Sequence, residues 1–430
     1  MKIHFVGIGG IGASALARFL LCEGNEVSGS DLVGSKLTED LQSEGIKVVI
    51  GEPSGDNIPE GTEKVIYTVA VGEEDLELQK AKELGITLQT YPQALGELSK
   101  NYFTIAVTGS HGKSTTTCLL ALMMIKGGLD PTVIVGTKLA EFGGSNFRKG
   151  KGKYLVIEAD DFNRSFWNYI PQITVVTNVD AEHLDTYGNI KGVVEGFNHY
   201  LKQLPDTSEA ILNKDDKHTP GIEQGVKAKI HYFTEPAEKW PLQIPGKFNQ
   251  LNAEAAWLAV EMVGVTRKQA RGAVSEYKGA WRRMEKLTPK ENEFGDAIFF
   301  SDYGHHPTEV RATLKAIKDQ YPGKSLTVVF QPHQIRRLTE LFDEFVNAFD
   351  AADKVILMPV YKVAGRDLDT GKTSEELCQT LKDKGLKDVS VAGSVEGALD
   401  ELRGGVIVFM GAGSIDQQVR EYFRSELLPE

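Results

Sequence analysis

The sequence has few cysteines, and this scarcity excludes folds that depend on paired thiols. Only Cys22, Cys118 and Cys378 occur among its 430 residues, and they are scattered along apolar helical patterns. A disulfide framework or a zinc site would need closely spaced pairs of thiols. We therefore expect three reduced cysteines that are buried in the core.

The sequence also has fewer basic than acidic residues, and it contains no long apolar run. There are 60 acidic residues against 48 basic ones, which gives a formal net charge of −12. Surfaces that bind nucleic acid or anionic membranes need an excess of lysine and arginine, so we expect neither partner. No stretch reaches the ~20 apolar residues of a membrane span, and the N-terminus carries no signal or transit pattern. These absences favour a cytoplasmic protein without membrane insertion, with a monomer and a dimer both open.

What the sequence does contain is a regular alternation of strand and helix patterns. Hydrophobic residues make up 41% and charged residues 25%, the balance of a globular protein that buries sizeable cores. Alternating strands and helices predict an α/β fold with mostly parallel sheets. The pattern of an apolar strand followed by a helix restarts three times, at residues 2–6, 102–107 and 297–301.

Two polar stretches separate these restarts and mark the predicted domain boundaries. We interpret residues 96–101 as a linker, and residues 287–296 are rich in charge and contain Pro289. At roughly 150 residues per domain, the length also indicates three domains. We predict domains over residues 1–99, 100–285 and 286–430, each a doubly wound or related α/β unit.

The strongest motif is a phosphate loop at residues 108–115, which follows an apolar strand and opens a helix. Glycines let successive N–H groups point at an anion, and the helix N-terminus adds partial positive charge. The lysine can reach terminal phosphates, and the hydroxyl after it can ligate magnesium. The usual spacing is not met, because Val107 stands at the first glycine position, so a plain helix cap is the alternative. We expect an ATP site formed by Gly109, Ser110, His111, Gly112, Lys113, Ser114 and Thr115.

Two acidic clusters follow later apolar strands. The first is Glu158 with Asp160 and Asp161, and the second includes Asp180 and His183. A carboxylate at the C-terminal end of a strand beside a phosphate loop is well placed to hold a phosphate-bound cation. Either cluster alone could be a solvated turn, but with the loop they predict a nucleotide–metal site. Because magnesium prefers oxygen ligands, His183 either positions a metal-bound water or indicates a site that accepts manganese.

A glycine-rich turn also follows the first strand. Gly7, Gly9 and Gly12, with Asp31 nineteen residues further on, match the dinucleotide-binding fingerprint. Alone, this motif would indicate a nicotinamide enzyme, but it is common and weakly specific.

Taken in chain order, the motifs resemble those of the Mur ligase family over essentially the whole chain. The segments that carry the resemblance are Gly7-Ile-Gly-Gly-Ile-Gly12, Ser30-Asp31, residues 108–115, Glu158-Ala-Asp160, residues 178–187, Pro245-Gly246 with Asn249 and Asn252, Arg282-Arg283-Met-Glu285, residues 302–309, residues 330–333 and Gly411-Ala-Gly413.

The resemblance implies three domains: an N-terminal Rossmann-like UDP-sugar domain, a central P-loop ATPase-like domain and a C-terminal Rossmann-like domain. It also implies an ADP-forming amide ligase of peptidoglycan synthesis. In that chemistry ATP phosphorylates the carboxylate of UDP-N-acetylmuramic acid, and the amine of an amino acid attacks the acyl phosphate. The implied cofactors are ATP and Mg²⁺, with Mn²⁺ as an alternative.

Residue roles follow from the resemblance alone. The implied catalytic residues are Lys113, Glu158, His183 and Arg283, and the implied metal ligands are Ser114 or Thr115, Glu158 and His183. Further ATP contacts fall on Asn249, Asn252, Arg283 and Asp302. The UDP-sugar residues are Gly9, Gly10, Ile11, Ser30, Asp31 and Thr68, and the amino-acid residues are His305, His306 and Arg337.

Several positions bear on the branch of the family. Phe197 stands where sibling ligases carry a carbamoylated lysine, and the L-alanine-adding branch also lacks that lysine. Three residues depart from that branch: Glu52, Phe248 and Gln334 replace residues usual in the family. A sibling that adds another amino acid or a preformed peptide therefore stays the alternative. An ATP-binding sensor without ligase activity is the hypothesis from another class.

Overall fold

The structure is a computed structural model that describes residues 1–289, 294–363, 367, 370–402 and 404–423. It contains three sheets in chain order, each dominated by parallel strands. In the central strands apolar residues follow one another without alternation, as expected for sheets covered by helices on both faces. Ile105, Ala106 and Val107 of one such strand are all fully buried.

The first sheet has five parallel strands in the order β3-β2-β1-β4-β5. Its elements are β1 (Lys2–Val6), α1 (Ile11–Cys22), β2 (Glu26–Asp31), α2 (Lys36–Ser43), β3 (Lys47–Ile50), β4 (Lys64–Tyr67), α3 (Leu76–Glu83), β5 (Thr87–Thr90) and α4 (Tyr91–Ser99). The order reverses beside β1, so the glycine turn after β1 opens at the point where open α/β sheets bind their ligands.

The second sheet has seven strands in the order β12-β11-β10-β6-β9-β7-β8, and only the edge strand β8 is antiparallel to its neighbour. Its elements are β6 (Phe103–Thr108), α5 (Lys113–Lys126), β7 (Thr132–Leu139), β8 (Ser145–Arg148), β9 (Tyr154–Glu158), a 3-10 segment (Phe162–Asn168), β10 (Ile173–Val176), α6 (Leu184–Tyr187), α7 (Ile190–Gln203), β11 (Glu209–Asn213), α8 (Thr219–Ile222) and β12 (Lys229–Phe233). Two helices follow, α9 (Lys247–Glu261) and α10 (Arg267–Glu276).

The third sheet has six strands in the order β13-β14-β18-β15-β16-β17, with β13 antiparallel to β14. Its elements are β13 (Glu285–Leu287), β14 (Ile298–Asp302), α11 (Pro307–Gln320), β15 (Leu326–Phe330), α12 (Ile335–Glu340), α13 (Phe342–Val346), β16 (Lys354–Leu357), α14 (Ser374–Asp383), β17 (Val389–Val391), α15 (Val395–Asp400), β18 (Val406–Met410) and α16 (Ile415–Phe423).

The chain divides into two compact units. The first unit comprises Met1–Pro241 and Leu251–Glu276 and holds the first two sheets; the second comprises Leu242–Gln250 and the chain from Tyr277 onward and holds the third. The predicted α/β class with mostly parallel sheets is confirmed. The predicted boundaries after residues 99 and 285 stay predictions.

Two expectations about local structure are wrong. Residues 96–99 are not a linker but the last residues of α4. Gly96 is small for a packing reason, because a Cβ there would collide with the carbonyl oxygen of Asn168 in the 3-10 segment. Cys118 and Cys378 are buried as expected, but Cys22 is exposed because it is the last residue of α1 and lies on the solvent side.

A membrane span needs a longer and more apolar helix than any in the described part of the chain.

Candidate active site

The phosphate loop lies at the switch point of the second sheet. Strand β6 leads into the loop, with β9 hydrogen-bonded on one side and β10 on the other. Val107 pairs with Glu158 and Thr108 with Val176, so all three strands end at the same level. Because parallel strands share one carboxyl edge, the loop and the two acidic clusters come together there.

Side chains at the end of β10 fix the conformation of the loop. Asn178 accepts the N–H of His111 at 2.9 Å and donates to the His111 carbonyl oxygen at 2.9 Å. The Thr177 hydroxyl donates to the same carbonyl at 2.6 Å. Asp180 donates its N–H to the Ser110 hydroxyl at 2.8 Å, and its carboxylate lies 3.0 Å from His111 Nε2. The loop is therefore held in shape before any phosphate arrives.

Gly112 is the residue on which helix α5 opens. Its φ of 81° lies in the left-handed region that favours glycine. A Cβ there would also fall 2.5 Å from the amide oxygen of Asn252 in α9. The structure thus brings Asn252, one of the expected ATP residues, against the loop. A larger residue at position 112 would both strain the backbone and displace Asn252.

Lys113 is held by three oxygen atoms of the protein. Its ammonium donates to the carbonyl oxygens of Gly109 at 2.8 Å and Ser110 at 3.3 Å, and to the Asp161 carboxylate at 2.6 Å. Burial by itself would lower the pKa of Lys113, but the charges of Asp161 and Asp160 outweigh it and raise that pKa. The side chain is a permanent cation at the floor of the loop.

Glu158 and Ser114 form a second contact across the switch point. The Ser114 hydroxyl donates to Glu158 Oε1 at 2.9 Å, and the Gly136 N–H donates to Glu158 Oε2 at 2.7 Å. Both expected metal ligands thus lie together at the end of β9. Thr115 is buried in the first turn of α5, and in the described part of the chain its hydroxyl makes no hydrogen bond to these acids.

Asp161 and His183 complete the acidic site. Ligand atoms of Asp160, Asp161 and His183 all lie within 4.8 Å of one another, and His183 Nε2 is 3.8 Å from Asp161 Oδ1. Asp161 Oδ2 and His183 Nδ1 are buried, and neither has a hydrogen-bond partner among the described residues. Buried polar atoms of this kind need a partner, so the cluster suits a cation.

The glycine turn of the first sheet is anchored to the end of β2. The N–H groups of Gly7 and Ile8 both donate to the Ser30 carbonyl, at 2.9 and 3.0 Å. The Gly9 N–H donates to the Asp31 carboxylate at 2.8 Å. The Thr68 side chain lies against Gly7, 3.0 Å from where a Cβ would stand. Of the remaining expected residues, Gly10 precedes α1 and Ile11 begins it.

The side chain of Ser30 takes part in a buried network that sequence analysis missed. Its hydroxyl donates to Glu77 at 2.8 Å, and the same carboxylate contacts His4 at 2.9 Å and accepts from Asn57 at 2.9 Å. Burial by itself would raise the pKa of Glu77, but the bonds from His4, Asn57 and Ser30 give a net lowering. The residues are separated by up to 73 positions, so only the folded sheet reveals the network.

In the second unit, Asp302 organises the turn after β14. It is buried and accepts N–H groups from Met284 at 2.8 Å and Gly304 at 2.9 Å. Burial raises the pKa of Asp302 to about 6, although those two bonds and the charge of Arg283 pull it down. The Arg283 guanidinium lies 4.8 Å from the centre of the Tyr303 ring.

Asn249, the remaining expected ATP residue, is buried in the second unit. Its amide donates to the Pro245 carbonyl at 2.6 Å and contacts the sulfur of Met284 at 3.8 Å. Phe248 beside it packs against the core of the third sheet, so this departure from the family pattern serves packing.

The two adjacent histidines play different parts. His306 is the N-cap of α11 and accepts the Thr308 N–H at 3.3 Å, so this histidine is a helix cap. The ring of His305 lies 5.6 Å from that of His333, and its Nδ1 is 3.6 Å from the Glu309 carboxylate.

Arg337 lies beside the same cluster. Its Nη1 is 3.3 Å from His333 Nδ1 and 3.4 Å from the Gln334 amide oxygen. Gln334 has a φ of 70°, uncommon for a residue other than glycine, and its N–H donates to the Tyr361 carbonyl at 2.9 Å. Strained backbone of this kind often marks a functional segment. His305, His333 and Arg337 are thus brought together at the carboxyl edge of the third sheet.

Family models match the chain in three successive parts. Residues 2–103 match the model described as Mur ligase family, catalytic domain, residues 107–240 match the Mur ligase middle domain, and residues 282–413 match the Mur ligase, glutamate ligase domain. Together these matches cover most of the sequence.

Whole proteins with the same organisation are also similar. The chain is 36% identical to the UDP-N-acetylmuramate–L-alanine ligase of Caldanaerobacter subterraneus subsp. tengcongensis, over 99% of this chain and 97% of that protein. The crystal structure of UDP-N-acetylmuramate-alanine ligase MurC from Thermotoga maritima matches with a TM-score of 0.82 and 26% identity, over 99% and 98% of the two chains. The murein peptide ligase mpl from Psychrobacter arcticus shares the fold, with a TM-score of 0.73 and 21% identity over the full length of both chains. With a relative this similar along nearly its whole length, the chain belongs to the Mur ligase family, as the motifs predicted.

Proposed function

We propose that this chain is an ADP-forming ligase that joins L-alanine to the lactyl carboxylate of UDP-N-acetylmuramic acid. The observation that carries the proposal is the cluster of Lys113, Ser114, Glu158 and His183 at one switch point. The relatives named for the L-alanine reaction support the choice of acceptor. Phe197, buried where siblings carry a modified lysine, agrees with that branch.

In this mechanism Lys113 and the loop amides bind the β- and γ-phosphates of ATP. A carboxylate and a triphosphate repel each other, so positive charge has to neutralise both before the phosphoryl group moves in line. The substrate carboxylate attacks the γ-phosphorus, the bond to ADP breaks, and an acyl phosphate forms. The amine of L-alanine then attacks the acyl carbon and loses a proton, the C–O bond to the phosphoryl group breaks, and inorganic phosphate takes up the proton and leaves the amide.

A divalent cation suits the acidic cluster in this scheme. Ser114 and Glu158, together with Asp161 and His183, would hold it, and the unpartnered atoms of the last two are the observation that fits a metal. Bound there, the cation would neutralise phosphate charge. Three of the ligands are oxygen donors, which suits Mg²⁺, whereas the imidazole also suits Mn²⁺.

We assign the remaining roles by sheet. The first sheet, within residues 1–99, would bind the UDP-sugar through Gly9, Gly10 and Ile11, and the second, within residues 100–285, would bind ATP. The third, within residues 286–430, would contribute Asp302 to ATP binding, together with Arg283 from just before that range. His305, which follows β14, and Arg337, in α12, would recognise the amino acid. Arg337 suits this role because a guanidinium binds a carboxylate in a bidentate manner.

The test is ATP hydrolysis by the purified chain with UDP-N-acetylmuramic acid and one acceptor at a time. The acceptors are the individual amino acids and a preformed peptide, and the product is identified by mass spectrometry. We expect release of phosphate and a product heavier by one alanyl residue only with L-alanine. A product with the peptide instead would identify the sibling reaction, and ATP binding without acceptor-dependent turnover would identify a sensor.

A further inference from the structure

Tyr91 lies between the two glycine loops of the first unit. It is the first residue of α4 and follows β5 directly. Its ring packs on Gly12 in the first turn of α1, where a Cβ would stand 2.7 Å from the ring carbon that bears the hydroxyl and 2.8 Å from the hydroxyl oxygen. Only a glycine at position 12 therefore leaves room for the tyrosine, and the hydroxyl is directed at the glycine turn after β1.

The same hydroxyl is close enough to the acidic site for the carboxylates there to change its pKa. Burial is the main cause of a raised pKa at Tyr91, and the carboxylates of Glu158 and Asp160 raise that pKa further. These acids lie at the end of β9, beside the phosphate loop. At neutral pH the hydroxyl therefore keeps its proton and can act only as a neutral hydrogen-bonding group, with its O–H available to an acceptor.

The hydroxyl of Tyr91 has no hydrogen-bond partner among the described residues, unlike two comparable tyrosines nearby. Tyr187 donates to the Asp161 carbonyl at 2.6 Å, and the Tyr200 hydroxyl lies 3.0 Å from that of Thr174. A partly buried phenolic O–H is normally satisfied by protein, by water or by a bound ligand. Beside the glycine turn after β1, this O–H is open to a ligand with acceptor oxygens.

We propose that Tyr91 is a substrate-binding residue whose O–H donates to the sugar nucleotide. The inference rests on the proposed function, in which the diphosphate occupies the glycine turn after β1 and the carboxylate is phosphorylated beside Lys113. The substrate then has to pass from the first loop to the second, and Tyr91 stands on that path. Its acceptor is an oxygen of the sugar–lactyl part, between the diphosphate and the reacting carboxylate.

The test is Tyr91→Phe, which keeps the ring on Gly12 and removes only the hydroxyl. We expect the KM for UDP-N-acetylmuramic acid to rise about tenfold, the typical effect of losing one hydrogen bond to a polar ligand. The KM for ATP should change less than about twofold. Calorimetric titration of the UDP-sugar without ATP should show the same loss of affinity, independently of turnover.

A matched control separates substrate binding from structural damage. In Tyr200→Phe, a buried hydroxyl of α7 that lies 3.0 Å from the Thr174 hydroxyl is lost. That variant should lower the melting temperature and leave the UDP-sugar KM unchanged. Unchanged UDP-sugar KM and affinity in Tyr91→Phe, with normal wild-type turnover, would overturn the assignment of Tyr91. A wild-type chain that neither binds the UDP-sugar nor ligates would instead overturn the proposed function.

Discussion

The ammonium of Lys113 lies 2.6 Å from the carboxylate of Asp161, which is completely buried. The carbonyl oxygens of Gly109 and Ser110 accept the other two protons of the ammonium. A phosphate that binds Lys113 must therefore replace partners that the protein already supplies. Asp161 would then need another cation as its counterion. Asp160 and His183 would bind that cation together with Asp161, because ligand atoms of all three residues lie within 4.8 Å of one another.

Removal of the lysine charge should abolish turnover. We expect Lys113→Ala to lower kcat at least about a thousandfold, because the cation stabilises charge that develops on the transferred phosphoryl group. The same change leaves Asp161 buried without its counterion, which typically costs about 3–5 kcal/mol. A coupled assay of ADP release and thermal melting measure the two effects.

A double variant distinguishes the two consequences. Lys113→Ala combined with Asp161→Asn should recover most of the melting temperature, because neither buried charge remains, and should stay inactive. Substantial turnover in either variant would mean that the loop does not handle the reacting phosphate.

Asn178 offers a separate test of the loop geometry. Asn178→Ala removes both bonds to His111, one to its N–H and one to its carbonyl oxygen. At about 1 kcal/mol for each bond, we expect ATP affinity to fall roughly tenfold or more, because the loop amides lose their fixed orientation. Calorimetric titration with ATP measures the change.

Asn189→Ala is the matched control for Asn178→Ala. It removes the N-cap of α7, whose side chain accepts the Gly192 N–H at 3.1 Å. This control should lower the melting temperature and leave ATP affinity intact. Equal ATP affinities in wild type and Asn178→Ala would show that the loop does not need this clamp.

Much of this site could be predicted from sequence because its parts are local in the chain. Strand, turn, lysine and hydroxyl follow one another within residues 103–115, and the acids come directly at the end of β9. Parallel pairing then brings the strand ends to one edge, which is a general property of such sheets. The family could be identified from the order of its motifs for the same reason, because each motif is a short continuous segment of the chain.

The contacts that could not be predicted from sequence join side chains on different elements of a sheet. The 154–161 segment offered several carboxylates, and nothing in the sequence distinguished Asp161, which pairs with Lys113, from the exposed Asp160. The network of His4, Ser30 and Glu77 likewise joins β1, β2 and α3 only after folding. Local composition also misled at residues 96–99, where a small residue reflects close packing and not a linker.

Asp302 should give the protein a characteristic dependence of stability on pH. Burial raises its pKa to about 6, so between the ordinary value and 6 the folded state binds a proton that the unfolded state releases. This contribution to stability is complete at low pH and is lost as the pH rises through 6. A shift of this size amounts to about 3 kcal/mol.

The comparison that isolates this contribution is wild type against Asp302→Asn, melted between pH 4 and pH 8. Other carboxylates also change stability with pH, as Glu77 does through its lowered pKa and Glu285 through its raised pKa, but they are common to both proteins and cancel. The stability of the variant relative to wild type should rise by up to about 3 kcal/mol from pH 4 to pH 7 and then level off. A constant difference across this range would contradict a raised pKa.

The cysteines predict a simple chemical result. Cys22 is exposed, whereas Cys118 and Cys378 are buried. A thiol reagent needs access to a thiolate, so one thiol per chain should react rapidly in the native state and all three after denaturation. Cys22→Ser should abolish the rapid phase. Rapid reaction of more than one thiol in native wild type would contradict the packing around α5 and α14.

Arg337 should determine the affinity for the amino acid. Its Nη1 lies 3.3 Å from His333 Nδ1 and 3.4 Å from the Gln334 amide oxygen, and a bidentate, charge-assisted bond to a carboxylate is worth about 1.5–3 kcal/mol. We expect Arg337→Ala to raise the KM for L-alanine about ten- to a hundredfold, with the ATP KM unchanged. Arg337→Lys keeps the charge without the planar fork, so its KM for L-alanine should lie between those of wild type and Arg337→Ala.

Arg336→Ala, one position earlier in α12, is the matched control and should leave the L-alanine KM within about twofold of the wild-type value. If only Arg336→Ala weakened L-alanine binding, the carboxylate anchor would lie at position 336, and the assignment of that role to Arg337 from the family resemblance would be wrong.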